Sequence, residues 1–176
     1  MKKYPESVKL GKDKGGDALM QRVPITPEGY QKLEEELERL LKVDRPKNIK
    51  AIAEARAHGD LSENAEYHAA KEKQSFIEGR IQELKSKLAL ADVIDPAKIS
   101  QDRIAFGAKV KILDLETDEE KTFILVGPDE ADAKNGKISI SSPVGKALLN
   151  KGIGDVVQIK APAKTMEYEI LEINFE

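Results

Sequence analysis

Two runs of apolar residues at helical spacing, separated by one short glycine-bearing loop, constrain this chain more than any other feature. In the first run Leu33, Leu37, Leu40 and Leu41 follow at three- and four-residue steps, with Glu and Lys between them. Ile49, Ile52, Ala53 and Ala55 resume the phase towards His58 and Gly59. The second run extends from near Leu61 to about Ala91, with Ile77, Ile81, Leu84, Leu88 and Ala91 as its stripe. Each stripe is narrow and solvated on both flanks, like a coiled-coil seam. One narrow stripe cannot build a core. Two of them joined by a short loop satisfy each other by folding back antiparallel. Arms of about 30 residues then make a rod about 45 Å long.

Local signals agree with this reading. Thr26-Pro27-Glu28 supplies a hydroxyl N-cap, a proline at the first helical position and an acid in the first turn. Pro46 removes a backbone donor and crowds the preceding turn, so a kink or a restart is expected there. Gly59 can take the positive φ that ends a helix.

A rod has little core and much surface, and the composition fits that. Asp, Glu, Lys and Arg make up 35% of the 176 residues, against about 25% in an average soluble domain. The net charge of −3 divides into +3 over residues 1–22, −3 over 26–95 and −3 over 96–176. No segment is strongly basic, which argues against sequence-independent binding of duplex nucleic acid. The absence of Cys excludes disulfides, zinc ribbons, thiol catalysis and iron–sulfur ligation. Two histidines, His58 and His68, leave little for an imidazole metal site. No apolar run approaches the ~20 residues of a membrane span, and no signal peptide is visible. A soluble, reduced, cytoplasmic protein without a membrane partner is expected, with residues 1–22 as a flexible lead.

After Pro96 the period changes from helical to strand-like. Lys109–Leu115 and Thr122–Val126 bracket an acidic turn, Glu116–Glu120. Ile138–Ile140, Val156–Ile159 and Tyr168–Ile173 are three further strand candidates. Ser142-Pro143 opens a short helix carrying Ala147, Leu148 and Leu149. The expected class is therefore α+β, with a helical hairpin over 23–95 and a small globular domain over 96–176.

The hairpin tip, His58-Gly59-Asp60-Leu61-Ser62-Glu63-Asn64, carries the most chemistry. Asp60 has two readings. It can cap the second helix, with Glu63 three residues on completing a capping-box pattern. Alternatively, Asp60 and Glu63 offer two hard oxygen ligands to a divalent cation. Two ligands are too few for a Mg²⁺ site, so the second reading requires another molecule to supply the rest. It makes the hairpin a reaching device that delivers carboxylates into someone else's active site.

The run from Ala51 to Gln74, AIAEARAHGDLSENAEYHAAKEKQ, resembles the bacterial Gre transcript-cleavage factors of the GreA type. The resemblance continues through Phe106-Gly-Ala-Lys-Val, Ile138-Ser-Ile-Ser-Ser-Pro and Gly154-Asp-Val-Val, covering about residues 22–174. It implies an antiparallel coiled-coil hairpin followed by a domain of FKBP-like fold. It also implies a partner, RNA polymerase stalled with the nascent RNA 3′ end backed out of its active site. The hairpin would enter the secondary channel while the globular domain grips the channel rim. Asp60 and Glu63 would help hold a Mg²⁺ shared with the polymerase, and no cofactor would be held by the chain alone. The polymerase would own the nuclease chemistry; the chain, a monomer, would stimulate it and would not itself be an enzyme.

Other residues carry paired readings. Arg45, Arg56 and Lys71 fall where the family places basic residues thought to face RNA, yet exposed cations on helices ordinarily pair with nearby acids such as Glu66 and Glu72. Tyr67 can stack on a base or pack across the hairpin. His58 and His68 suit helix-end packing better than Mg²⁺. A prolyl isomerase is not expected of the globular domain, whose only aromatics are Phe106, Phe123, Tyr168 and Phe175. Cleavage stimulation, an inhibitory channel plug and a coiled-coil interaction module without a polymerase are the functions to separate.

Overall fold

A computed structural model describes residues 22–57, 63–99, 102–160 and 165–175. They form two compact units. One is Tyr30–Leu90; the other joins the residues up to Gly29 with those from Ala91 onward. The ends of the expected 23–95 hairpin thus group by contact with the sheet unit.

The first arm of the hairpin is built from α1 (Pro27–Arg39), a single wide π turn (Leu40–Asp44) and α2 (Arg45–Ala57). Thr26 caps α1, its Oγ1 accepting the Gly29 N–H at 3.0 Å. In the π turn the Arg45 N–H reaches back five residues to the Leu40 carbonyl. The cause is the next residue. Pro46 has no N–H, and in a regular helix its ring would press on the carbonyl of Lys42. Widening the turn ahead of it by one residue relieves that crowding, so the expected kink is a π turn.

The returning arm is α3 (Ala65–Leu90), 26 residues and therefore about 39 Å long. It starts four residues later than the sequence pattern suggested, and Ala91 is already in a strand. Cross-links from Glu36 to Arg80, Asn48 to Ala70 and Ala55 to Asn64 show the arms running antiparallel, since one number rises as the other falls. Leu40, Ile77, Ile81 and Leu84 form the seam, with Leu33, Leu37 and Leu41 packed against it. Ile81 and Leu84 are fully buried, each contributing about 1.5–3 kcal/mol of apolar burial. Farther along, the seam narrows to Ile52, Ala55, Ala70 and the buried amide of Asn48. Ile49 and Ala53, expected in the stripe, are exposed instead, because the π turn shifts the helical phase onto Asn48, Ile52 and Ala55.

The sheet unit holds two sheets. β1 (Val23–Ile25) and β2 (Ala91–Val93) pair in parallel, and the Ile94 N–H extends the pairing to the Ile25 carbonyl at 2.9 Å. Three-residue strands show no readable alternation, and neither was expected from the sequence. The larger sheet has the order β5–β4–β3–β7–β6, from β3 (Lys109–Asp114), β4 (Glu120–Val126), β5 (Lys137–Ser139), β6 (Val156–Lys160) and β7 (Thr165–Asn174). Only the β4–β5 edge is parallel. A bulge opposite Lys111 and Ile112, where β7 carries one extra residue, helps curl the sheet. All five expected strands are present. The helix α4 (Pro143–Leu148) is capped by Ser142, whose Oγ accepts the Gly145 N–H. Its Leu148 joins Val110, Ile112, Leu125, Ile159 and Ile170 in the buried core. Phe106 and Tyr168 are buried, and Phe123 and Phe175 pack against that core.

Candidate functional site

The described part of the hairpin tip is organised by Asn64. Its Oδ1 accepts the Tyr67 N–H at 3.0 Å, the geometry of an N-cap residue bonded to the third residue of α3. Its Nδ2 donates to the Ala55 carbonyl at 2.7 Å, across to the last turn of α2. One amide thus satisfies an orphan donor of one helix and an orphan acceptor of the other. The helix α3 is thus capped at Asn64. Asp60 and His58 themselves lie outside the described residues.

Glu63 precedes that cap. Its side chain is exposed and makes no hydrogen bond or ion pair with a described residue. A carboxylate at this position is therefore not spent on capping. It is a hard oxygen donor open to solvent, the chemistry a Mg²⁺ ligand needs. Among the described residues no group of three or more His, Cys, Asp or Glu is arranged to hold a metal ion.

The three basic candidates are not alike. Arg45 at the start of α2 forks onto Glu78 of α3, Nε to Oε1 at 2.7 Å with its second nitrogen on Oε2. That fork holds the Glu78 carboxyl below the usual range, the hydrogen bond contributing most. Arg56 lies over the Tyr67 ring, 5.7 Å from its centroid, so Tyr67 packs across the hairpin. His68 meets the same ring edge-on, centroids 5.7 Å apart. Lys71 donates to Gln74 at 2.8 Å. Glu66 and Glu72, expected as partners, are exposed and take no part. Arg56 and Lys71 share the walls of one shallow groove with Ile49, Ile52, Ala53 and Gln74.

Below the tip, ion pairs tie the arms together. Arg80 forks onto Glu36 at 2.7 and 2.8 Å and also reaches Glu83 at 2.9 Å, while Lys87 holds Glu83 from the other side at 2.8 Å. The Arg80 hydrogen bonds hold Glu36 below its ordinary value, and Lys87 followed by Arg80 does the same for Glu83. Asn48 adds a buried bond to the Ala70 carbonyl at 3.0 Å. Sequence reasoning missed both asparagines. A polar amide on the seam side of a helix and a good cap followed by an acidic first turn were the available signals.

One unit is a charged two-helix hairpin with an exposed carboxylate near its tip, and the other contains a curled five-stranded sheet. Comparison with known proteins makes the class specific. The family description "Transcription elongation factor, N-terminal" matches residues 23–93, and "Transcription elongation factor, GreA/GreB, C-term" matches residues 99–175. The chain belongs to the GreA/GreB family of transcription elongation factors. It is 72% identical over 158 residues to the Transcription elongation factor GreA of Thermodesulfovibrio yellowstonii, covering 90% of this chain and 100% of that protein. It is 56% identical over 157 residues to the protein of the same name from Rhizobium leguminosarum bv. viciae, covering 89% and 99%. Among solved structures, GreA factor homolog 1 (Gfh1) of Thermus thermophilus is 30% identical over 87% of this chain and 99% of that one, with a TM-score of 0.41. Among the described residues, no helix is long and apolar enough to cross a membrane.

Proposed function

We propose that this chain stimulates the Mg²⁺-dependent cleavage of backtracked nascent RNA by RNA polymerase, by inserting the hairpin tip into the polymerase's secondary channel. One observation carries most of the weight: Asn64 caps α3, and the adjacent Glu63 carboxylate is exposed, with no hydrogen bond or ion pair among the described residues. Glu63 and Asp60 would be the oxygen donors this chain brings to a Mg²⁺ whose other ligands belong to the polymerase. Bound there, the ion supplies activation of water and charge neutralisation at the phosphodiester. The chain's own part is to hold the two carboxylates at the end of a stiff rod and to orient them. Its arms are cross-linked by Arg45, Arg80 and Asn48, which keeps that end from splaying. Arg56 and Lys71, flanking one groove, would face the displaced RNA; Arg45, committed to Glu78, would brace the rod. The chain would act as a monomer in the cytoplasm and would cleave nothing by itself.

The test is a cleavage assay on a stalled polymerase complex with its RNA 3′ end displaced. The parent chain should shorten the RNA and permit restart. Asp60→Ala and Glu63→Ala should each lower the rate about a hundredfold or more, the scale of a lost metal ligand, while binding to polymerase persists. Full cleavage by the double variant would remove both residues from the site. Arrested synthesis without shortening would make the chain a channel plug, and failure to bind polymerase would make it an interaction module of another kind.

A further inference from the structure

The tip contains a hydrogen bond that the proposed function does not use, from the Asn64 amide nitrogen to the Ala55 carbonyl. Asn64 is bonded to both helices through the two ends of one amide, at 2.7 Å to the Ala55 carbonyl and 3.0 Å from the Tyr67 nitrogen. Its own carbonyl accepts the His68 N–H at 3.1 Å. Three bonds therefore fix this residue relative to the end of α2 and the start of α3. Glu63 is joined to it through one planar peptide, its Cα about 3.8 Å away. The carboxylate thus hangs from a point referenced to both arms. Capping alone does not need this arrangement, because Ser, Thr or Asp caps a helix about as well as Asn. Only an amide of this length pairs the capping acceptor with an N–H donor that reaches the opposite carbonyl.

We propose that Asn64 is a positioning residue for cleavage stimulation, holding Glu63 where a shared metal ion can use it. This rests on the reading of Glu63 as a metal donor. Asn64 touches neither metal nor RNA. It acts through the backbone of its neighbour, as an outer hydrogen-bonding partner orients a ligand, and loss of such partners commonly costs 10–100-fold in metal affinity or activity.

Asn64→Ser keeps a capping oxygen for the Tyr67 N–H and gives up the amide N–H donor to Ala55; Asn64→Asp does the same with an added charge. Both should retain the parent's helical circular dichroism and its half-saturating concentration for polymerase. The maximal cleavage rate should fall about tenfold, and the Mg²⁺ concentration for half-maximal rate should rise. Because the chain has no cysteine, Glu63→Cys offers a single site for a nitroxide label. In the free chain its electron paramagnetic resonance spectrum should show greater mobility when combined with Asn64→Ser. An unchanged Mg²⁺ requirement together with unchanged label mobility overturns the proposal. Glu63→Gln separates the two layers: if it cleaves like the parent, the metal-donor reading of Glu63 falls. If it is impaired while both Asn64 variants are not, only the role of Asn64 falls.

Discussion

Two glycines show how context sets the sign of one substitution. Gly29 sits in the first turn of α1, where an added Cβ would overlap the Glu130 carboxylate. That carboxylate accepts from the Thr26 N–H at 2.9 Å and from the Thr26 hydroxyl. It can swing aside only by abandoning both donors. Gly79, in the middle of α3, has no atom within 4 Å of where a Cβ would stand. Gly29→Ala should therefore destabilise by about 1–2 kcal/mol through lost hydrogen bonds. Gly79→Ala should stabilise by about 0.5–1 kcal/mol through lowered chain entropy and better helix propensity. Urea unfolding midpoints at constant slope distinguish the two, and equal shifts of the same sign would refute the argument. At this scale the sequence was only partly legible. Asp60 and Glu63 are spaced like a capping box, and that spacing pointed to a helix start near Leu61. Asn64, followed by an acid at Glu66, was an equally good cap, and nothing in the local pattern ranked one above the other. The choice depends on the Ala55 carbonyl across the hairpin, a partner that local sequence does not reveal.

Elements were more legible than their joints. The Leu40, Ile77, Ile81 and Leu84 seam and the five main strands follow directly from spacings of 3.6 and 2. What did not follow was the π turn before Pro46, the bulge opposite Lys111 and Ile112, and the three-residue strands β1 and β2. Each depends on register against a distant partner or on a single extra residue, and periodicity is blind to both. The hairpin also has a pH signature. Glu36, Glu78 and Glu83 all have folded-state affinities for protons lowered by Arg80, Arg45 and Lys87. A carboxyl lowered in the folded state contributes stability that is complete above its unfolded value. That contribution is lost as the pH falls through the lowered folded values. Helical melting should therefore hold steady near neutrality and weaken once the pH drops below about 4.3, the ordinary Glu value. Arg80→Met should lower the neutral melting temperature and flatten the acid dependence. Because these pairs are partly exposed, the effect should be modest and should shrink with salt. A melting temperature in Arg80→Met that falls with acid as steeply as the parent's would assign the acid sensitivity elsewhere.

For the whole molecule, charge is distributed so that no metal site closes within the described residues. Two tip carboxylates bind a hard cation weakly unless other ligands join them. Titration of the free chain with Mg²⁺ in a calorimeter should show no saturation below millimolar concentrations. Incubation with RNA and Mg²⁺, without polymerase, should leave the RNA intact. Submillimolar binding by the free chain would mean that it holds the ion unaided.

The small parallel pair of β1 and β2 bears on the order in which the chain folds. β1 and β2 join Ile25 to Val93, positions separated by 68 residues (25 to 93). Closing so long a loop in an unstructured chain is entropically costly, and non-local pairings of this kind form slowly. Once α1, α2 and α3 have zipped together through local contacts, the same two segments are already neighbours and the effective loop is short. Folding of the hairpin would then precede and favour the pairing of β1 with β2. In stopped-flow refolding, helical circular dichroism should recover before hydrogen-exchange protection of the Ile94 amide. Substituting Ile81 by Ala in the seam should slow recovery of both.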